Sequence, residues 1–360
     1  MAPQTLSKSR AALALGLSTL PLAARAATRS DYISNALNAT DVLNQNWYDS
    51  TNGLWQDLWW NSANALTALA DLAAIDSDFI PTASNYFQTT YNAAPASNGG
   101  TWLNDYYDDE AWWALGWIAA FDITQDINYL STARSIFQDL TTGLDASCGG
   151  QWWSKDRGYI ASINNELFLA VAASLGNRSP NDGTVYRTYA ANQADWLIQH
   201  SGLMNSDDLF LDGLDPSTCT SGSHTTIWTY NQGAILGGLV ELYYLTSDSS
   251  YLNTADSIAH GALLHLTDTG ILTEPSYPGP PDATAAQFKG VFVRNLAKLQ
   301  SVRLDGDYVA FLQRNADSIW NNDRQDDGEI GPDWQGPLFD ANMASQSSGI
   351  DCLVAAAAMS

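Results

Sequence analysis

The sequence predicts an all-α fold, an (α/α)6 barrel formed as a toroid of six helical hairpins. Three observations predict it. Apolar residues recur with a helical period in twelve segments, these segments alternate between two polarity patterns, and the connections between them alternate between short and long. No run of alternating polar and apolar residues competes as a β-strand. The predicted helices cover residues 31–48, 59–75, 80–93, 108–121, 127–141, 161–176, 184–200, 229–245, 249–266, 286–303, 306–322 and 344–358.

An internal repeat indicates that the helical hairpin is the structural unit. Residues 124–136 and 246–258 share Thr, Asp, Tyr-Leu, Ala and Ser-Ile at identical spacing. In each copy one helix ends, the chain turns tightly, and an Asp or Ser can cap the next helix. A weaker copy follows Asp307 and Tyr308.

The two polarity patterns separate inner helices from outer ones. Several even-numbered helices are apolar nearly all round, as at residues 112–120 and 233–242, whereas odd-numbered helices such as those at 126–140 and 307–320 are amphipathic. A helix that is apolar on every side must be buried on every side. We therefore expect the even-numbered helices to form an inner ring and the odd-numbered helices an outer ring.

The connections indicate where the functional site lies. Those that follow inner helices are short, and those that enter inner helices are long. Long loops in a compact domain are usually functional. If the helices alternate in direction, all these loops lie on one rim, so we expect the site at the N-termini of the inner helices. The long connections are residues 94–107, 142–160, 201–228, 267–285 and 322–343.

The N-terminus has the pattern of a secretory signal peptide over residues 1–26. Lys8 and Arg10 precede an apolar run at 11–24, and small residues follow it. We expect residues 27–360 to form a single (α/α)6 domain that is secreted, extracellular and monomeric. No later segment reaches the roughly 18 continuous apolar residues of a membrane span, so no membrane partner is expected after signal removal.

Composition and cysteine usage narrow the class of function. The chain has 15 basic and 39 acidic residues, a net charge of −24, which repels nucleic acid and anionic membranes. Cys148, Cys219 and Cys352 are far apart, and with only four His they fit no metal site, so neither metal nor cofactor is expected. One disulfide and one free thiol are expected, with the pairing open. Asn38 begins a glycosylation sequon.

The predicted starts of the inner helices all carry polar side chains, and most carry aromatic ones. Any one of them can be an ordinary N-cap, since Asp, Asn and Ser favour helix starts. Six such starts that converge on one rim indicate a binding site instead. Most of the 14 Trp and 16 Tyr must pack in the core, but aromatic faces also stack on pyranose rings. The candidate substrate-binding residues are Trp60, Trp113, Asn165, Tyr230, Gln232 and Lys289.

Two adjacent acids, Asp108 and Asp109, stand at one of these starts. A glycosidase needs two carboxyl groups, one to protonate the leaving oxygen and one to attack carbon or activate water. Neighbours on a helix point about 100° apart, which can place the two groups on different sides of a sugar ring. Close like charges also raise one pKa, so that one acid stays protonated while the other is ionised.

The surrounding motifs resemble those of glycoside hydrolase family 76, the endo-α-1,6-mannanases of fungi and bacteria. Residues 106–115 read YYDDEAWWAL and resemble the catalytic segment of that family. Further matches follow in the family's order over nearly the whole mature chain. They are Cys148-Gly149-Gly150 with Trp152-Trp153, residues 165–169, Asp212-Gly213-Leu214, residues 228–233, residues 288–292 and Gln346-Ser347-Ser348.

This resemblance implies an (α/α)6 catalytic domain that cleaves α-1,6-mannan internally, by a retaining mechanism and without a metal. It implies that Asp108 is the nucleophile and Asp109 the general acid/base. The chain departs from the family at Gln151, where many members have a third Gly, and at Ser276, where a Cys is expected. The second departure leaves Cys219 without its family partner unless Cys352 serves.

Other functions remain open at this point. Fungal cell-wall transglycosidases share the barrel and the aspartate pair, and they typically keep a lipid-anchor signal. No such signal is recognised here, which favours hydrolysis, although transfer differs only in the acceptor. A non-catalytic mannan-binding protein would be expected to lack one aspartate, and both are present. A terpene cyclase would require a wider Asp-rich metal motif than Asp-Asp-Glu.

Overall fold

Twelve α-helices form the fold in a computed structural model that describes residues 27–179, 181–274 and 281–360. They coincide with the twelve predicted helices, whose ends shift by a few residues. The expected signal peptide and Ser276 lie outside the described residues. The helices are α1 (Arg29–Trp47), α2 (Trp59–Ile75), α3 (Ile80–Ala93), α4 (Tyr107–Thr124), α5 (Ile127–Leu140), α6 (Ser162–Asn177), α7 (Gly183–Asp195), α8 (Thr229–Thr246), α9 (Ser250–His265), α10 (Phe288–Gln300), α11 (Gly306–Asn322) and α12 (Met343–Ala358).

The even-numbered helices form a closed inner ring, as predicted. They pack in chain order from α2 to α12, and α12 packs back against α2. Burial follows the polarity pattern, since every residue from Ser162 to Gly176 of α6 is buried. The (α/α)6 barrel expected from the sequence is therefore confirmed.

The odd-numbered helices lie outside this ring, and α3, α5, α7 and α9 pack mainly against the even-numbered helix that precedes each of them. The repeated turns join such pairs. Gln125 and Ser247 end α4 and α8 in the left-handed region, with φ of 59° and 60°. Asp126 then caps α5 by accepting a hydrogen bond from the backbone N of Asn128 over 2.9 Å. The sixth pair joins the chain's ends, because α1 packs against α12.

Among the described residues, three short antiparallel ribbons, which the sequence did not predict, lie in the connections between helices. Their two-residue strands are too short for a polarity pattern to reveal. The ribbon at the rim joins the loops at 142–160 and 201–228. The pairs are β1 (Tyr48–Asp49) with β2 (Leu54–Trp55), β3 (Ile160–Ala161) with β4 (Gly213–Leu214), and β5 (Thr267–Asp268) with β6 (Ile271–Leu272).

A disulfide between Cys148 and Cys219 joins the same two loops. Cys352 is a buried free thiol in α12. The expectation that Cys219 lacks a partner unless Cys352 serves is therefore wrong. The Cα atoms of Cys148 and Cys219 lie 5.3 Å apart, although 71 residues separate them in sequence. Within the described ranges, no helix is both long enough and apolar enough to cross a membrane.

Candidate active site

Asp108 and Asp109 lie in the first turn of α4, at the rim predicted from the loop lengths. The loop at 142–160 backs this turn, because the backbone N of Tyr107 donates to the carbonyl of Trp153 over 3.0 Å. An isolated bridge between Tyr106 and Ser154 extends the contact. The start of α4 is thus fixed by a neighbouring loop.

Asp108 is held by one indole. Trp153 Nε1 donates to Asp108 Oδ2 over 3.0 Å, and Asp108 Oδ1 makes no hydrogen bond with the described residues. Burial raises the pKa of Asp108, and the bond from Trp153 opposes that rise. The carboxyl group therefore has one oxygen anchored by the indole and one buried oxygen without a hydrogen-bond partner among the described residues.

Asp109 is held from the other side by an amide. Asn104 Nδ2 donates to Asp109 Oδ2 over 2.7 Å. Burial raises the pKa of Asp109, and the negative charge of Asp108 raises it further. Because Asp109 experiences the charge of its neighbour, we expect it to retain its proton when Asp108 is ionised. This is the division that an acid and a nucleophile require.

Glu110, the third acid in the row, is fully buried and supports the loop before α4. Its Oε1 accepts hydrogen bonds from Lys155 Nζ over 2.8 Å and from the backbone N of Asn104 over 3.0 Å. Burial raises the pKa of Glu110 to about 8, against the lowering effect of Lys155. Glu110 thus indirectly positions Asn104 and, through it, Asp109.

The start of α4 and the loop at 142–160 form one wall of the site, and the loop at 201–228 contributes Asp212 to a second wall. Asp212 was part of a recognised motif but not among the predicted site residues. Its Oδ2 accepts a hydrogen bond from the Tyr159 hydroxyl over 2.6 Å, and its Oδ1 accepts one from Trp228 Nε1 over 3.0 Å. A Cβ added at Gly213 would collide with the Tyr159 hydroxyl and the carbonyl of Ile160. Gly213 therefore permits the ribbon that brings Asp212 to Tyr159. The glycine directly after Asp212 was the sequence feature that could have indicated Asp212 as a site residue.

Tyr230 connects the two walls. Burial raises its pKa, and the charges of Asp212, Asp108 and Glu166 raise it further, so its hydroxyl lies among these carboxyl groups. Its ring stacks on Phe288 with centroids 3.9 Å apart. The structure thus brings Tyr230 together with Asp108 and Asp212.

Trp60 lies further along the same aromatic row. Its ring centroid is 6.4 Å from that of Phe288 and 6.1 Å from that of Trp112. On the other side of the aspartates, Tyr106 packs against Trp153 at 4.9 Å and keeps 41% of its surface exposed. Aromatic rings therefore lie on both sides of the aspartate pair, and Tyr106 and Trp153 were not among the predicted binding residues.

Trp113 lies in the core, not at the cleft. It has no exposed surface and packs between Trp59 at 5.0 Å and Trp102 at 4.7 Å. Trp117 stacks against it at 5.7 Å. A sugar would find no free face of this ring. The sequence offered no way to distinguish it from Trp112, because both belong to a helix that is buried on every side.

Two predicted amides, Asn165 and Gln232, anchor loops to the barrel. Asn165 Oδ1 accepts from the backbone N of Gln151 over 2.7 Å, and Asn165 Nδ2 donates to the carbonyl of Gln151 over 3.0 Å. Gln232 makes the same pair of bonds with the backbone of Phe210, over 2.8 and 3.0 Å. Both amides are fully buried and occupied by these contacts.

Lys289 has a comparable structural position in α10. Its Nζ donates to the carbonyl of Pro332 over 3.0 Å and lies 4.4 Å from the centroid of the Trp334 ring. Burial lowers the pKa of Lys289, and the charge of Asp323 opposes this. The structure thus places Lys289 beneath the loop at 322–343 and not against the aspartate pair.

A possible metal-ligand group occurs elsewhere. Within the part of the chain that the structure describes, Asp256, His260 and Asp305 bring three ligand atoms within 4.8 Å of one another. Asp256 already bonds to Arg303 and to the Tyr308 hydroxyl. This group lies on α9 and the turn before α11, outside the inner ring that carries the aspartates.

An (α/α)6 barrel with a carboxyl pair and flanking aromatic rings at its inner rim is the architecture of a glycoside hydrolase. The profile of glycosyl hydrolase family 76 matches residues 26–359, and the chain belongs to this family.

Two relatives have names that state an activity. A putative mannan endo-1,6-alpha-mannosidase of Schizosaccharomyces pombe is 27% identical over 296 residues, which cover 75% of this chain and 65% of the relative. Mannan endo-1,6-alpha-mannosidase DFG5 of Saccharomyces cerevisiae is 24% identical over 278 residues, which cover 69% of this chain and 59% of the relative. The chain thus spans less than two thirds of the length of either.

Solved structures share the fold. The alpha-1,6-mannanase of Salegentibacter sp. has a TM-score of 0.80 and 22% identity, covering 92% of this chain and 100% of that one. An inactive variant of it, with two consecutive aspartates replaced, was solved with alpha-1,6-mannotetrose. Dfg5 from Chaetomium thermophilum, solved with glucosamine, has a TM-score of 0.80 and 17% identity, covering 93% and 92% of the two chains.

Proposed function

We propose that this protein is a retaining endo-α-1,6-mannosidase that cleaves α-1,6-mannan internally. The observation that carries the proposal is the pair Asp108 and Asp109 at the first turn of α4, each held by its own hydrogen-bond donor. The Salegentibacter relative, whose inactive variant has two consecutive aspartates replaced, supports the choice of this pair. The expected signal peptide motivates the further proposal that the enzyme acts outside the cell.

The proposed reaction has two displacements. Asp109 donates its proton to the glycosidic oxygen as Asp108 attacks the anomeric carbon, so the C–O bond to the leaving sugar breaks and a β-linked mannosyl ester of Asp108 forms. Asp109, now ionised, takes a proton from water. The hydroxide attacks the same carbon, the ester bond breaks, and the mannooligosaccharide is released with its anomeric α-configuration retained.

The surrounding residues support both steps. Trp153 anchors one oxygen of Asp108 and leaves the other without a partner among the described residues. The charges of Asp212 and Asp108 both act on the Tyr230 hydroxyl, so Asp212 and Tyr230 would present polar groups to the sugar of the covalent intermediate. The rings of Tyr106 and Trp60 offer surfaces to sugars on either side.

The test compares Asp108→Asn and Asp109→Asn on an activated aryl α-mannoside with added azide. Asp109→Asn should accumulate the ester, and azide should release it as the α-mannosyl azide, because the first displacement needs little acid help with a good leaving group. Asp108→Asn should form no ester and, if rescued at all, should give the β-azide by direct displacement. Asp105→Asn, which changes an exposed neighbour, is the matched control and should keep wild-type turnover.

Wild-type products test the substrate class. Digestion of linear α-1,6-mannan should give short oligosaccharides whose first-formed anomer is α by NMR. Release of mannose alone, a β-configured first product, or α- and β-azides exchanged between the two variants would each contradict the proposal.

A further inference from the structure

Glu166 is a buried acid near the site that the proposed reaction does not use. Its side chain has no exposed surface, and neither carboxyl oxygen makes a hydrogen bond with the residues that the structure describes. Buried polar groups are nearly always paired, and an unpaired buried charge is especially unfavourable. A carboxyl group in this position therefore calls for a functional explanation.

The packing of α6 against α8 places Glu166 just beneath the rim. A Cβ added at Gly238 would lie 2.9 Å from the Leu169 side chain and 3.3 Å from the backbone N of Ala170, so the two helices touch there. Asn231 precedes Gly238 by two helical turns, and Glu166 precedes Ala170 by about one turn. Both residues thus lie on the seam between α6 and α8, on the side towards the aspartates.

Asn231 shares the unusual environment of Glu166. It is fully buried, and neither its amide N nor its amide O makes a hydrogen bond within the described ranges. Two unpaired polar side chains on one seam indicate a built polar site, since apolar residues would pack there at lower cost.

The charged group that acts on Glu166 is Asp212, in the second wall of the site. Burial raises the pKa of Glu166 well above its usual range, and the negative charge of Asp212 raises it further. The same cluster includes Tyr230, which is influenced by Asp212, Asp108 and Glu166 together. No cation among the described residues acts on Glu166, in contrast to Glu110, which has Lys155.

We propose that Glu166 is a positioning residue of the mannosidase site and that it works as a neutral carboxylic acid. A neutral Glu166 exerts no charge repulsion on Asp212, whereas an ionised Glu166 would repel Asp212 and work against its hydrogen bonds with Tyr159 and Trp228. Neutral Glu166 thereby holds the wall that faces Asp108 without adding a third negative charge to it. The kinetic effects that we expect rest on the proposed function, whereas the protonation of Glu166 does not.

The test uses the full-length protein with Glu166→Gln, which keeps shape and polarity without a charge, and Glu166→Leu, which removes the polar atoms. Glu241→Gln is the matched control, because it changes a buried Glu at the opposite end of the inner helices. For each variant, kcat and KM on an α-1,6-mannooligosaccharide are measured across pH, and thermal unfolding confirms folding at the assay temperature. Infrared difference spectra between wild type and Glu166→Gln report the C=O stretch of a protonated carboxylic acid.

Glu166→Gln should stay within about threefold of wild-type kcat at its optimum, with the acid limb of the pH profile unmoved. Glu166→Leu should lose roughly 10- to 100-fold in kcat, as expected when a reacting group is slightly misplaced. Glu241→Gln should lose stability but keep kcat. The infrared spectrum at neutral pH should show a protonated-acid band in wild type that Glu166→Gln lacks.

Three results would overturn the inference. They are a Glu166→Gln variant that is folded but as impaired as Glu166→Leu, a Glu166→Leu variant with wild-type kcat, or a wild-type spectrum without the band. A shift of both pH limbs to lower values in Glu166→Gln would also count against it, because that shift means a negative charge was removed. If wild type fails to cleave the mannan, the proposed function fails, whereas the infrared result still decides the protonation of Glu166.

Discussion

Trp153 Nε1 donates a hydrogen bond to Asp108 Oδ2 over 3.0 Å, and this bond opposes the effect of burial on the pKa of Asp108. The donor comes from the loop at 142–160, which Asn165 fastens to α6 and the disulfide at Cys148 fastens to the loop at 201–228. The ionisation of the proposed nucleophile thus depends on a residue 45 positions away in sequence.

We predict that Trp153→Phe shifts the acid limb of kcat/KM to higher pH. The indole bond stabilises the ionised form of Asp108, so its loss raises the pKa, and the nucleophile becomes ionised only at higher pH. A hydrogen bond to a charged group is worth about 1.5 kcal/mol, which corresponds to roughly one pH unit. Trp152→Phe is the control, since Trp152 Nε1 makes no hydrogen bond with a described residue. Equal shifts in the two variants would refute the assignment.

We predict that Asn104→Ala shifts the alkaline limb of the pH profile of kcat/KM. The bond from Asn104 to Asp109 stabilises the carboxylate, so its removal raises the pKa of Asp109 and moves the alkaline limb of kcat/KM to higher pH by about one unit. The acid limb should stay in place. Asn98→Ala is the control, because Asn98 donates to the carbonyls of Thr101 and Leu103 in the same loop. An alkaline limb unchanged in Asn104→Ala would exclude Asp109 as the group that sets it.

A pH-dependent loss of stability is predicted for Glu241→Gln. Burial alone would raise the pKa of Glu241, but Lys298 and Arg178 outweigh burial and hold the pKa at about 2. Glu241 accepts from Lys298 Nζ over 2.5 Å and pairs with Arg178 Nη1 at 3.3 Å. The variant leaves two cations with one partner fewer. Because both cations are partly exposed, we expect the free energy of unfolding to fall by about 2–3 kcal/mol at neutral pH, which is below the range for fully buried pairs.

The sign of the pH effect follows from the lowered pKa. The stabilisation by Glu241 is fully present above its unfolded pKa of about 4.3 and is lost as pH falls through about 2. The difference in urea unfolding free energy between wild type and Glu241→Gln should therefore shrink below about pH 4. Glu329→Gln, which keeps an acceptor for Asn46 at the surface, should change stability by less than about 0.5 kcal/mol at any pH. A constant Glu241→Gln difference down to pH 2 would contradict the ion-pair account.

The helices and their order were predictable because the information is local. An amphipathic or uniformly apolar period predicts a helix and its layer, as the paired repeats at 124–136 and 246–258 did for α5 and α9. The position of Asp108 and Asp109 at the start of an inner helix was predictable for the same reason, since both residues stand side by side in a recognisable motif. The disulfide was not, because the approach of Cys148 to Cys219 depends on two loops that meet only after folding.

By itself, the sequence determined the (α/α)6 barrel, the rim that carries the site, and Asp108 and Asp109 at that rim. Only the tertiary structure decided what each polar residue at the rim contacts. Asn165 and Tyr230 occupy similar positions at the starts of inner helices, yet Asn165 is bound to the backbone of Gln151 and Tyr230 lies among the carboxyl groups. The physical reason is that a helix start fixes only the direction of its side chain, whereas the fold of the neighbouring loop decides whether that side chain meets a backbone or a cleft.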